Sequence, residues 1–332
     1  MNSVYKNMTD VHCESSKNPI KLLKLYLYSH GFIMKLKNSI FQNATILKQP
    51  LKTNLYKLIG VGVAFSPNLK ANIYEAARLS LIFNSKLFLI HVGERTEDKE
   101  LQLKQILSPF IDKKLSFEFV FQNGDPVDVI LTTIEKLGIG LIVLGALQRE
   151  NFLKYYLGSI ARKIARNVKC SVLLLTNPSV ERVPCKHIVV NGLKDPKTKP
   201  TIESAFFFAK KLSADKITIV EEITKQEVSV KVFDDRSLRR LKIAKERIKL
   251  REDSRVKSII NVVPEGYKTG VVVKTQPIFG KRGYSIGHYA QFVRADLLVM
   301  NSPSETTFWN RLFPHDIEHI LTELPTNVLI VR

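Results

Sequence analysis

A chain of 332 residues, 45% hydrophobic and 25% charged, is long enough for about two globular domains and too apolar to be disordered. Its formal net charge of +20 favours solubility and attraction to anions in general, without selecting a partner. No apolar run approaches the roughly 20 residues of a spanning helix, and Cys13, Cys170 and Cys185 have neither disulfide-framework nor metal-ligand spacing, which fits a reducing compartment.

Residues 1–54 read as a basic N-terminal tail. In residues 1–50, seven Lys stand against one Asp and one Glu. The patch Ile20–Tyr28 is either a short amphipathic helix for a membrane or partner, or part of a loosely ordered terminus, the commoner fate of such segments. It lacks the continuous apolar core and small-residue cleavage site of a secretory signal. Met34, just before Lys35-Leu36-Lys37, is an alternative start.

From Tyr56 the pattern is regular. Leu58–Phe65 reads as a strand, Ser66-Pro67-Asn68 as a turn, and Ala71, Tyr74, Ala77, Arg78, Leu81 and Ile82 as a helix. Strands follow at Leu87–Val92 and Leu115–Gln122, separated by a charged connection and helix over Glu94–Leu107. Gly124-Asp125-Pro126 turns the chain into a helix at Val127–Leu137. Leu141–Leu144, apolar at every position, is a strand buried on both faces. A loop, a helix with Ile160, Ile164, Ala165 and Val168 on one face, and a strand at Ser171–Leu175 complete the series. Strands alternating with helices predict a parallel sheet with right-handed crossovers and a ligand crevice beyond the carboxyl ends of the strands.

That crevice has a candidate lining. Gly145 releases the chain from the fourth strand, and Gly158-Ser159 opens the next helix. Ser159 is a suitable N-cap, and Gly158 permits close approach of a ligand to the backbone. The bare N–H groups and dipole of a helix start favour an anion such as phosphate. The spacing of Gly145, two residues, Gln148, nine residues, Gly158-Ser159 resembles the nucleotide loop of the universal stress protein family, where Gly stands in place of Gln148. A second departure lies at the end of the first strand. The family's Val-Asp-x-Ser reads Val63-Ala64-Phe65-Ser66 here, and Ala64 cannot accept a hydrogen bond from a ribose.

The pattern recurs. Adding 156 carries Leu141–Gly145 to Leu297–Asn301, Gly124 to Gly280 and Val172–Leu175 to Val328–Val331. Nearer the start the offset is about 130, with Leu58-Ile59 at Ile188-Val189 and Leu89-Ile90 at Ile219-Val220. The second copy thus carries about 26 extra residues, within a basic insertion at 224–262. There Leu238, Leu241, Ala244 and Ile248 form one apolar stripe on a basic helix. Such a helix binds nucleic acid, membrane or an acidic partner, or packs its stripe on its own domain, the commoner outcome. No aromatic residue interleaves the basic positions between Arg236 and Lys257, which disfavours specific nucleic-acid binding. In the second loop Asn301, Ser304 and Pro314-His315 replace the binding residues, and Pro314 donates no N–H.

Other motifs carry little. His315-Asp316-Ile317-Glu318-His319 has an inverted zinc-protease spacing, but a third ligand would have to come from elsewhere. Gly60-Val61-Gly62 lies inside a strand instead of after it, and Phe65 replaces the third glycine of a dinucleotide fingerprint. His91, on the second strand, fits a satisfied core histidine. No P-loop, nucleophile elbow or other catalytic constellation is present.

The resemblance implies two tandem open α/β domains, residues 55–178 and 184–332, each with a parallel five-stranded sheet and helices on both faces, of the adenine-nucleotide alpha hydrolase or Rossmann-like type. It implies a cytoplasmic stress-response or regulatory protein that holds ATP or another adenine nucleotide in domain 1 only. The contacts would be Val63, Ala64, Gly145, Gln148, Gly158, Ser159 and Ile160, with Arg149 or Arg162 lending charge. Domains of this family usually pair, so the two copies are expected to pair with each other through Ser171–Leu175 and Asn327–Val331, and a homodimer is a further expectation. The alternative is an adaptor that binds no nucleotide and acts through an unknown protein partner. A related adenylating enzyme would need a Ser-Gly-Gly-x-Asp-Ser loop, and Ala64-Phe65-Ser66-Pro67 is not one.

Overall fold

The computed structural model describes residues 55–148, 155–228, 231–302 and 316–332, all within one compact unit, 52–332. The first five-stranded block comprises β1 (Leu58–Val63), α1 (Leu69–Phe83), β2 (Lys86–Val92), α2 (Glu97–Ile111), β3 (Phe117–Gln122), α3 (Pro126–Leu137) and β4 (Leu141–Gly145). A two-stranded ribbon follows, β5 (Leu147–Gln148) against β6 (Tyr155–Tyr156), then α4 (Ser159–Asn167) and β7 (Ser171–Leu175). The second block comprises β8 (His187–Asn191), α5 (Thr198–Leu212), β9 (Lys216–Ile223), α6 (Asp235–Val262), α7 (Glu265–Lys268), β10 (Val272–Phe279), α8 (Tyr284–Phe292), β11 (Leu297–Asn301), α9 (Asp316–Thr322) and β12 (Asn327–Val331). The first helices start where local chemistry allows. Thr96 accepts from the Lys99 N–H ahead of α2, and Asp125 accepts from Val127 and Asp128 with Pro126 at the first helical position of α3.

Two separate five-stranded sheets are expected from the sequence. The structure instead has one sheet of ten strands, β10-β9-β8-β11-β12-β7-β4-β1-β2-β3. All neighbours are parallel except β12 and β7, which pair antiparallel with Val328 opposite Leu174 and Ile330 opposite Val172. The join has a simple cause. Ser171–Leu175 is buried along its whole length, as is Val328–Val331, so each strand would otherwise present an apolar edge with unpaired backbone groups. Thr176 adds two bonds across the join, its N–H and hydroxyl both donating to Asn327 Oδ1 at 3.0 and 3.2 Å.

Helices tie the blocks together on one face of the sheet. Phe206, Phe207 and Phe208 of α5 are all fully buried. Phe83, at the end of α1, lies 5.0 and 5.1 Å from the Phe207 and Phe208 rings in edge-on geometry. Tyr56 closes the cluster at 5.8 and 5.7 Å from the same two rings. Its hydroxyl reaches Ser171 and Ser204 at 3.4 and 3.3 Å, and burial pushes its acidity to still higher pH. Among the described residues, no helix is long and apolar enough to cross a membrane.

Candidate functional site

The first-block crevice forms where β1 and β4 end side by side. Their register, Ile59 with Leu141 through Val61 with Val143, carries Val63 toward Gly145. Val63 is buried, and its carbonyl oxygen lies 3.0 Å from His91 Nδ1. A carbonyl only accepts, so Nδ1 carries the proton. His91 is thus satisfied, and it stands edge-on to Phe65 and Phe121. The Val63 carbonyl, expected as a ligand contact, already has this donor. Ala64 is exposed, and its carbonyl accepts from the Ser66 N–H at 2.8 Å.

Gly145 ends β4 against Asn72 of α1. A Cβ at 145 would lie 2.6 Å from Asn72 Nδ2, so any larger residue would have to displace this amide. Asn72 Oδ1 is buried without a hydrogen-bond partner among the described residues. Nothing in the loop spacing singles out Asn72. The signal was present: Asn72 interrupts the inward stripe Leu69, Ile73, Ala76 and Ala77 one turn into α1.

The chain then leaves as the β5–β6 ribbon, with Leu147 opposite Tyr156 and Gln148 opposite Tyr155. Gln148 therefore sits in a backbone-paired strand, not in an open loop. Gly158 is the N-cap of α4, extended at φ −60° and ψ 161°, and no side chain caps the helix. This corrects the expectation that Ser159 caps: Ser159 is the first helical residue and is exposed, as is Ile160. A Cβ at 158 would stand 3.0 Å from Leu147 Cδ1, which places Gly158 against the Leu147 side chain, two residues beyond Gly145. The first-turn N–H groups of α4 have no intrahelical acceptors.

The ribbon is strapped to the second block. Leu324 donates its N–H to the Tyr155 carbonyl at 3.0 Å, and Leu157 donates to the Leu321 carbonyl at 3.3 Å. Arg162, expected to lend charge to an anion, donates instead to the Leu321 carbonyl at 3.2 Å. Arg149, Ser304, Pro314 and His315 lie outside the described residues. His319 is described, 6.4 Å from the Tyr284 ring in edge-on geometry.

In the second block the protein's own side chains reach the corresponding strand ends. Asn301, at the position corresponding to Gly145, donates to Thr198 Oγ1 at 3.0 Å. Arg255 of α6 reaches the strand ends, with Nη1 3.3 Å from the Leu193 carbonyl and Nη2 bonded to the Gly192 carbonyl. Glu252 holds the same guanidinium at 2.8 Å. Glu221, in the place His91 takes in the first block, is 2% exposed, and neither carboxylate oxygen has a hydrogen-bond partner among the described residues. Burial pushes its carboxyl up to about 7, against the opposing pull of Arg255. Its neighbour Glu222 is satisfied: it accepts from the Gly283 and Ile286 N–H groups at 3.0 and 2.8 Å and neutralises the start of α8.

Comparisons with known proteins agree with this architecture. No curated protein matches the chain. A protein of unknown function from Pseudomonas aeruginosa PAO1 has a similar structure, with a TM-score of 0.60 and 15% identity over 86% of this chain and 94% of that one. A universal stress protein from Archaeoglobus fulgidus DSM 4304 gives 0.56 and 16% identity, over 83% of this chain and 98% of that one. At these identities the likeness establishes the fold. Residues 55–176, the stretch from Leu55 to the end of β7, match the model of the universal stress protein family. Residues 55–176 thus form a universal stress protein domain.

Proposed function

We propose that the protein is a cytoplasmic stress-response regulator of two domains, 55–178 and 184–332, that holds an adenine nucleotide such as ATP in the first domain alone. The observation that carries this reading is the start of α4. Gly158 leaves the first-turn N–H groups uncapped, with Ser159 and Ile160 exposed, and Gly158 lies against Leu147 just beyond Gly145. Such a helix tip accommodates phosphate oxygens. The unpartnered Asn72 Oδ1 beside Gly145 is an acceptor suited to the exocyclic amine of a purine. A bound nucleotide would supply charge and shape for regulation, and the chain's residues would bind and orient it. In the second domain, Asn301 and Arg255 take the corresponding space, which favours a partner domain without ligand.

Equilibrium dialysis of the full chain with labelled ATP tests this. Saturable binding of one nucleotide per chain is expected, and it should be lost in Gly158→Trp, whose side chain would fill the space beside Leu147. No saturable binding by the parent protein would overturn the reading. A second reading, an adaptor without nucleotide, draws on the Val63 carbonyl, already occupied by His91. That reading fails if an adenine nucleotide co-purifies with the protein in a native mass spectrum.

A further inference from the structure

The least buried regular element of the described residues is the amino-terminal half of α6. None of residues 235–250 is buried, and the only buried residues of this 28-residue helix are Glu252 and Val256. Leu241, Ala244 and Ile248 are half-buried on the side toward the sheet, and Lys245 and Lys249 lie over the Phe279 ring at 5.1 and 5.8 Å. At 100° per residue, Ile243 and Leu250 fall on the opposite side, one heptad apart. They are 53% and 66% exposed, and Phe233, just ahead of the helix, is 86% exposed.

The surroundings of these two residues are cationic. Arg236, Arg239, Arg240 and Arg247 flank them on the same face, and none has an ion-pair partner among the described residues, whereas Lys249, Arg251, Arg255 and Lys257 do. Residues 224–257 hold twelve Lys and Arg against six Asp and Glu. An exposed aliphatic pair thus shares its face with four arginines over about 21 Å, the rise from residue 236 to 250, while Glu246 at the margin of that face is held by Lys249 at 3.0 Å.

We propose that this face of α6 docks on an anionic lipid surface, lying in its plane with Ile243, Leu250 and Phe233 in the acyl boundary and the arginines at the headgroups. Charge sign decides among occupants. A second copy would oppose one set of arginines to another, and residues 1–50, with seven Lys against two acidic residues, repel the face in the same way. Nucleic acid satisfies the arginines but leaves Ile243 and Leu250 in water, and no aromatic side chain between Arg236 and Lys257 is available to stack on bases. An anionic bilayer satisfies both. The inference is independent of nucleotide binding, since it uses no residue of the first-domain crevice.

The test is co-sedimentation of the full chain with vesicles of phosphatidylcholine alone, or of phosphatidylcholine with about one third phosphatidylserine. Binding to the anionic vesicles only is expected. Both Ile243→Ser with Leu250→Ser, and Arg239→Gln with Arg240→Gln and Arg247→Gln, should weaken it at least about tenfold. Ile243→Trp adds apolar area and is expected to bind more tightly, which keeps the test decisive if a loss variant fails to fold. Equal binding by the Ser variant would mean attraction of any polyanion and would overturn the proposal. So would tighter binding of a single-stranded RNA oligomer or an acidic amphipathic peptide than of anionic vesicles at the same ionic strength. Binding shared undiminished by every α6 variant would assign the interaction to other residues, again overturning it.

Discussion

Corresponding positions in the two blocks have exchanged roles one residue at a time. In the first, glycine at 145 makes room for Asn72 on the helix; in the second, Asn301 stands on the strand and bonds to Thr198 on the helix. His91 donates to the carbonyl of Val63, while Glu221 in its place cannot donate when ionised, and Arg255 serves the Leu193 carbonyl instead. The substitution leaves a carboxylate in an apolar setting, and its acidity carries a signed consequence. Because Glu221 titrates near 7 in the folded chain and near 4.5 when unfolded, its contribution to stability is full below about pH 4.5 and is lost as the pH rises to 7. Glu221→Gln should remove that decline, stabilising the protein at pH 8 by on the order of 2 kcal/mol relative to the parent and hardly at all at pH 4.5. Urea denaturation at the two pH values measures it; an equal effect at both would show that the carboxyl is not the cause. The sequence could not reveal this cluster, because Arg255 and Glu221 are 34 positions apart and meet only when the inserted helix folds over the strand ends.

Elements were the most legible level. Continuous apolar runs mark β2, β4 and β7, and a 3.6-residue period with Asp125 in view as a cap marks α3, nearly to the residue. Boundaries moved where caps decide: α2 begins at Glu97 because Thr96 caps it, and it continues past Leu107 to Ile111. The stripe read on α6 is only partly inward, with Leu238 exposed, and Ile243 and Leu250 lie outside it. Helical spacing identifies one apolar face and says nothing of a second pair a heptad apart on the other side. For α5, by contrast, three consecutive phenylalanines fit no amphipathic pattern, and the structure buries all of them, Phe207 and Phe208 against Phe83 of α1. Phe207→Ala should therefore cost about 3–5 kcal/mol, as expected for deleting a fully buried aromatic ring, measured by guanidinium denaturation. A loss below about 1 kcal/mol would mean that the cluster does not hold the two blocks together.

At the scale of the whole molecule, the pairing of β7 with β12 makes one hydrogen-bonded ladder of what the sequence presents as two repeats. A single cooperative unfolding transition is expected for residues 52–332. Leu329→Asp, which places a charge opposite Leu173 at the join, should lower its midpoint by about 3 kcal/mol or more without splitting it. Two resolved calorimetric transitions in the parent protein would contradict that. The antiparallel sense of the join has a spatial corollary. Within each block the strands run one way, and across the seam they run opposite ways, so the carboxyl ends of β1 and β4 and those of β8 and β11 open on opposite borders of the ribbon. The two mouths face away from each other. Nothing held in one can touch the other, and the Tyr155–Leu324 strap beside the first mouth leads to the rear of the second block, not to its opening.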